Sequence, residues 1–239
     1  ETIINNAARE PEIVALAEFL KQMGVPIEGL GTTSLRVMGQ SSLQAVQAAI
    51  IPDRIEAGTF LVAGALLGNN LRITGIRPDH LQSVLEHLEA AGVSFEIEQD
   101  AVTLSRPDKI LPVDVVTGPY PEYPTDLQAQ WITFMCHAAG SSRITDTIYL
   151  DRFAHVPEMV RLGARITLES NTALVEGPAN LVGAPVMSTD IRASAALVLA
   201  ALIAEGTTEI SRVYHIDRGY ETIERKFAAL GARIRRSAE

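Results

Sequence analysis

Four times along the chain, a stretch with apolar residues three and four apart runs into a glycine and is followed by an alternating stretch. The four are EIVALAEFLKQM before Gly24, HLQSVLEHLEAA before Gly92, VPEMVRL before Gly163 and YETIERKFAAL before Gly231. That spacing gathers the apolar side chains on one face of a helix, and a glycine just past the last periodic residue predicts a helix stop. Stretches such as VSFEIE and ARITLE then alternate as a half-buried strand does. A second strand is predicted in SLRVMG, AVTLSR and TALVEG, closing hairpins. The glycines lie 68, 71 and 68 residues apart, which reads as an internal repeat.

Another kind of helix precedes each of the last three glycines. Ile55–Leu67, Leu127–Ala139 and Ile191–Ala204 carry almost no charge past the first turn. A helix apolar nearly all round belongs in a core, whereas one with a polar face lies at a surface or between layers. Each unit therefore reads as inner helix, strand, outer helix, strand, strand. The strand after the inner helix is NLRITGI, SRITDTI or TTEISRVY, and a short closing strand precedes the helix in VDVVT, APVMS and LQAVQAAI. The predicted class is α/β, with inner apolar helices wrapped by sheets. The first unit has its middle strand (ETIINN), outer helix and hairpin but lacks an inner helix. Residues 1–48 are thus expected to be the incomplete last unit of a preceding domain, and residues 49–239 a three-unit domain. The proline of IIPDR stiffens the crossing. The expectation is that the chain is truncated or cleaved, or that another chain supplies the absent part.

Composition narrows the chemistry. The chain is 47% hydrophobic and 21% charged, as a globular protein is, and with 5% aromatics its core must be aliphatic. A formal net charge of −9 argues against non-specific nucleic-acid binding, so an anionic ligand must be met by a few placed arginines. No apolar run approaches the roughly 20 residues of a membrane span. The first residues lack the basic-then-apolar pattern of a signal peptide. Cys136 is the single cysteine, set in the apolar TFMCHAAG, and reads as a core residue.

Each inner helix opens on an aspartate: Asp53 in PDRIEAGTF, Asp126 in PTDLQAQ and Asp190 in STDIRASA. An N-cap alone explains an aspartate there. Asp126 and Asp190 each follow a threonine that could cap already, which favours them as site residues. Arg192 stands in a first turn, against the helix dipole, a placement explained by a grip on phosphate or carboxylate. Arg152 follows TIYLD, and Arg218 lies in YHIDRGYE, where a bridge to Asp217 or Glu221 is the competing reading. His155 and His215 read as loop hydrogen-bonders. Metal-ligand spacings, a dinucleotide fingerprint, a P-loop and a GxSxG elbow are absent from the sequence.

NAAREPEI, PDRIEAGTFLVA, PTDLQAQ, DRFAHVPEM, STDIRASAALVLA, AEGTTEI and YHIDRGYE together resemble the UDP-N-acetylglucosamine 1-carboxyvinyltransferase family of enolpyruvyl transferases. The resemblance runs from Glu1 to about Arg235 and covers the C-terminal part of the family's chain. It implies an inside-out α/β barrel of repeated units, in two domains facing a cleft. It implies transfer of enolpyruvate from phosphoenolpyruvate to the 3-hydroxyl of UDP-N-acetylglucosamine for peptidoglycan, in the bacterial cytoplasm, with no cofactor. By motif, Asp126 matches the carboxylate that takes the hydroxyl proton, and Asp190, Arg192 and Arg218 match residues around the enolpyruvyl and phosphate groups. Thr125, Asp126, Ile148, Tyr149 and Arg152 make up the implied substrate-binding set. The family's lysine-asparagine motif, its loop bearing the general acid and a nearby arginine have no counterpart, and Cys136 is not that acid. The resemblance implies an enzyme whose N-terminal half is missing, inactive as this chain alone. The alternatives are a shikimate-pathway enolpyruvyl transferase and a non-catalytic binding or structural remnant.

Overall fold

The structure, a computed structural model, describes residues 1–237. It opens with strand β1 (Thr2–Asn5), helix α1 (Pro11–Gln22) and strands β2 (Ile27–Glu28) and β3 (Ser34–Val37), forming an antiparallel sheet in the order β1-β3-β2. A small cluster of Ala17, Val25 and Ile27, with Leu20, Leu30 and Val37 against it, holds helix to sheet. Ile3, Ile4 and Leu16 stay exposed. From Met38 to Asp53 the backbone forms neither helix nor strand, so the strand expected in LQAVQAAI does not form. Its apolar residues stay exposed apart from a partly covered Val46, and Ile50 is 89% exposed.

The next unit comprises α2 (Arg54–Leu67), β4 (Leu71–Thr74), α3 (Gln82–Ala90), β5 (Phe95–Ile97) and β6 (Ala101–Leu104), with sheet order β4-β6-β5. Then come β7 (Val115–Val116), α4 (Gln128–Met135), β8 (Ser141–Thr145), α5 (Val156–Arg161), β9 (Arg165–Glu169) and β10 (Thr172–Glu176), in the order β7-β8-β10-β9. The last unit has β11 (Pro185–Met187), α6 (Ile191–Ile203), β12 (Glu209–Ser211) and α7 (Ile223–Ala229). Short closing strands pair in parallel, β7 with β8 and β11 with β12. After Gly231 no hairpin follows among the described residues.

Helices α2, α4 and α6 pack on one another and form the centre of one continuous apolar cluster. Leu61, Val62, Ala65, Ile132, Phe134, Leu197 and Leu199 are wholly buried, at roughly 1.5–3 kcal/mol for each large aliphatic or aromatic side chain removed from water. Trp131 is also wholly buried; its ring meets Tyr123, Phe134 and His87, and its Nε1 donates to the carbonyl of Val113. Cys136 is in the same core, where burial pushes its thiol up to about 12. The fold is thus the α/β arrangement of inner helices wrapped by sheets.

Helix α4 is shorter than its apolar pattern. The carbonyl of Cys136 accepts from the backbone N–H of Ala179, and Ala139 donates to Ile110, so the chain leaves the helix to bind its neighbours. Gly177 permits this close crossing, since a Cβ there would lie 2.3 Å from the carbonyl oxygen of Ala138.

Candidate functional site

The three inner helices begin in different ways. Asp53 caps α2 by accepting from the N–H groups of Ile55 and Glu56, and Asp190 caps α6 by accepting from those of Arg192 and Ala193. The hydroxyl of Thr189 is buried without a partner, so the aspartate and not the threonine serves as cap at α6. Asp126 does no capping. It sits in a single 3-10 turn, Thr125–Leu127, ahead of α4, and its carboxylate points at two guanidinium groups.

Arg152 Nη1 donates to Asp126 Oδ1 at 2.6 Å, while Arg192 Nε and Nη2 donate to Oδ2 at 3.0 and 2.8 Å. Burial pushes the Asp126 carboxyl up, but the charges of Arg192 and Arg152 outweigh it and hold the group below the ordinary range. Burial likewise works against the Arg192 cation, and Tyr220 and Asp126 more than restore it. The result is an ionised carboxylate bridging two cations, partly shielded from water.

Asp146, which the sequence reading did not single out, fixes the frame of this triad. Its wholly buried carboxylate accepts from Thr117 Oγ1, from Thr125 Oγ1 at 2.6 Å and from the N–H groups of Ile148 and Tyr149. Thr125 in turn accepts from Arg152 Nη1 at 3.2 Å. One carboxylate therefore ties the turn bearing Asp126 to the loop bearing Ile148, Tyr149 and Arg152. The threonines flanking it in TDT were the available signal, since an Asx turn after a strand uses such residues. Tyr149 is exposed, with its ring centroid 5.9 Å from Arg152 Cζ, and Ile148 is half-exposed.

A cleft of about 320 Å³ opens beside Asp126, lined also by Glu10, Glu12, Arg54, Tyr120, Thr125 and Ile148. Arg54, in the first turn of α2, forms a two-pronged bridge to Glu12 at 2.9 and 3.1 Å and lies over the ring of Tyr120. Glu10 Oε1 accepts from the N–H of Tyr120, while Oε2 is buried without a partner. The mouths of α2 and α4 thus share one cleft, and Arg192 joins α6 to it through Asp126. Glu10, Glu12 and Arg54 were in motifs already noted, yet no spacing rule marks residues 42 positions apart as partners.

Arg218 is not drawn into this cluster. It is exposed in the turn Val213–Arg218 and has no side-chain hydrogen bond or ion pair among the described residues, while Asp217 pairs with Arg236. His155 is buried with Nε2 unpartnered, contrary to the loop hydrogen-bonding expected of it; burial lowers it to about 4, against a smaller opposing pull from Asp190. His215 Nε2 lies 3.4 Å from Arg212 Nη2. Among the described residues no cluster of histidine, cysteine and carboxylate side chains could hold a metal, and no helix is long and apolar enough to cross a membrane.

The chain has relatives among known proteins. The chain is 54% identical over 236 residues to a UDP-N-acetylglucosamine 1-carboxyvinyltransferase of Chlorobaculum parvum and 53% identical to one of Chlorobium limicola. Each match covers 99% of this chain and 56% of the relative, so the chain spans about half the length of the curated relatives it matches. Among solved structures, the enolpyruvyl transferase NikO from Streptomyces tendae superposes with a TM-score of 0.90 at 30% identity, over 99% of this chain and 56% of that one. EPSP synthase from Acinetobacter baumannii superposes at 0.73 with 16% identity, over 93% of this chain and 55% of that one, a likeness of fold. Residues 1–227 match the family model described as EPSP synthase (3-phosphoshikimate 1-carboxyvinyltransferase). With nearly the whole chain matched, this protein belongs to the EPSP synthase family of enolpyruvyl transferases.

Proposed function

We propose that the chain forms one wall of a site that moves enolpyruvate from phosphoenolpyruvate to the 3-hydroxyl of UDP-N-acetylglucosamine. The observation carrying this reading is Asp126 held between Arg152 and Arg192 at the mouth of the inner helices. In this role Asp126 accepts the proton of the hydroxyl as the hydroxyl oxygen bonds to C2 of phosphoenolpyruvate, whose C3 takes a proton; Arg192 pairs with the carboxylate and phosphate carried on C2 until the C2–O bond to phosphate breaks and phosphate leaves. Asp190 orients Arg192 by capping its helix, and Arg218, exposed and unpaired among the described residues, is a cation that meets the phosphate. Thr125, Ile148, Tyr149 and Arg152 receive the sugar. Held below its ordinary range, Asp126 is a weak base until an anion shares the charge of Arg192; substrate binding then strengthens the base where it is needed. The sugar nucleotide as acceptor is favoured by 54% identity to relatives of that name, against 16% to a shikimate-type structure.

The same reading divides the chain into residues 1–48, part of one domain, and residues 49–239, a three-unit domain, with the remaining site residues on a segment this chain does not carry. It also places the protein in the bacterial cytoplasm.

The test compares phosphate release from phosphoenolpyruvate and UDP-N-acetylglucosamine by this chain alone and by a fusion with the part of the Chlorobaculum parvum relative that it does not span. Turnover is expected only in the fusion, and Asp126→Asn in it should lower kcat by about 10²–10⁴-fold. Turnover by the chain alone would falsify the one-wall reading; a folded fusion without turnover removes the enolpyruvyl reading.

A further inference from the structure

Beneath Arg192 lies a set of buried polar side chains that proton transfer does not use. Tyr220 is 1% exposed, and its hydroxyl is 2.8 Å from Thr59 Oγ1 and 3.3 Å from Gln130 Nε2. Gln130 Nε2 also donates to Thr59 Oγ1 at 3.1 Å, and Thr59 donates onward to the carbonyl of Ile55 at 2.9 Å. Thr59 belongs to α2, Gln130 to α4 and Arg192 to α6, so all three inner helices meet at one phenol.

The donor count orders the protons. Thr59 gives its only proton to Ile55, so its oxygen must accept, and the phenol proton goes to Thr59. Gln130 supplies the remaining donor. With its proton committed, Tyr220 offers nearby cations only a π face and oxygen lone pairs. The Arg192 Cζ is 5.7 Å from the ring centroid. Gly219 makes the approach possible, because a Cβ there would lie 2.7 Å from Ile191 Cγ2 and 3.4 Å from Arg192 Nη1. Asp126 holds Nε and Nη2 from one edge, so without Tyr220 the plane of the guanidinium could swing about that hinge.

Burying Thr59 and Gln130 between apolar helices is costlier than an aliphatic contact would be, and Gln130 Oε1 remains without a partner. We infer that Tyr220, anchored by Thr59 and Gln130, is a positioning residue that sets the plane in which Arg192 presents its guanidinium to an anion. The inference rests on the anion-binding role proposed above for Arg192.

The test uses the 239-residue chain with ¹⁵N-labelled arginine, the Arg192 Nε–Hε signal being the one lost in Arg192→Lys. In Tyr220→Phe this signal should shift and exchange with water faster while the backbone amide spectrum is kept. Phosphoenolpyruvate, added as the probe, should bind about five- to tenfold more weakly. In an Arg192→Lys background the same substitution should change affinity less than twofold. Should Tyr220→Phe fail to fold, Thr59→Val removes the anchor and leaves the ring, and the same signal should move in the same direction. An unmoved Arg192 signal in whichever variant folds overturns the inference and leaves the buried set as core filling. Where the unaltered chain, as one wall of the site, binds no phosphoenolpyruvate, the affinities are read in the fusion; absence of binding by the folded fusion counts against the role of Arg192 in anion binding, while the Arg192 signal still decides the role of Tyr220.

Discussion

Burial lowers His80 and His137 and carries His155, which is 1% exposed, the furthest. His155 titrates near 6.5 when unfolded and about 4 when folded, chiefly because burial opposes its charge, with Asp190 and Arg152 as its nearby charges. Between those values the unfolded chain binds the extra proton. Its stabilising effect is therefore complete above pH 6.5 and lost as pH falls toward 4. Urea unfolding across that range should show His155→Phe losing less stability on acidification, by on the order of 3 kcal/mol. At this scale Asp126 and Arg192 were legible in the sequence, because charge at the mouth of an apolar helix is conspicuous, whereas Arg152, in the loop before α5, was marked only by its motif. Asp190 was legible as a charge, yet its carboxylate is committed to a cap. Asp146, Thr59 and Gln130 were hidden: polar residues close to apolar patterns look like turns or surface until the partner that satisfies them is located.

At the scale of elements, the repeat rests on four equivalent helix endings. Gly24, Gly92, Gly163 and Gly231 all adopt positive φ, from 92° to 100°. In each, the N–H one residue beyond the glycine reaches back to a helix carbonyl, as in Val93 to Leu88 and Ala164 to Met159. The paired closing bonds are those of a Schellman ending. The same backbone does not imply the same tolerance. A Cβ at Gly231 meets nothing, whereas at Gly163 it would lie 3.0 Å from the carbonyl oxygen of Asn180. Thermal unfolding should show Gly231→Ala costing about 1–2 kcal/mol, the left-handed penalty alone, and Gly163→Ala costing more. These endings could be read from spacing because the chemistry is local. The early end of α4 could not be, since Ala179 and Ile110 compete for its last turn from distant positions.

Taken whole, the molecule has a large core around three helices and a small one under its first sheet, joined by the exposed backbone of residues 38–53 and clamped by Arg54 to Glu12. Limited proteolysis should cut this connector first, as extended exposed backbone fits a protease and no ladder holds it. The sequence put a boundary here but also a strand, because the apolar letters of LQAVQAAI carry no information on whether a neighbour exists to cover them.

The buried indole gives this arrangement an optical consequence. The chain has one tryptophan, and Trp131 stands in the large core, so fluorescence excited at the red edge of tryptophan absorption sees that body alone. Its emission should be blue-shifted, shielded from aqueous quenchers and unchanged when the connector is cut. A red shift on cleavage would mean that the larger body leans on the first sheet for its packing. The protein carries its own dye, placed where it reports on one body and is blind to the other.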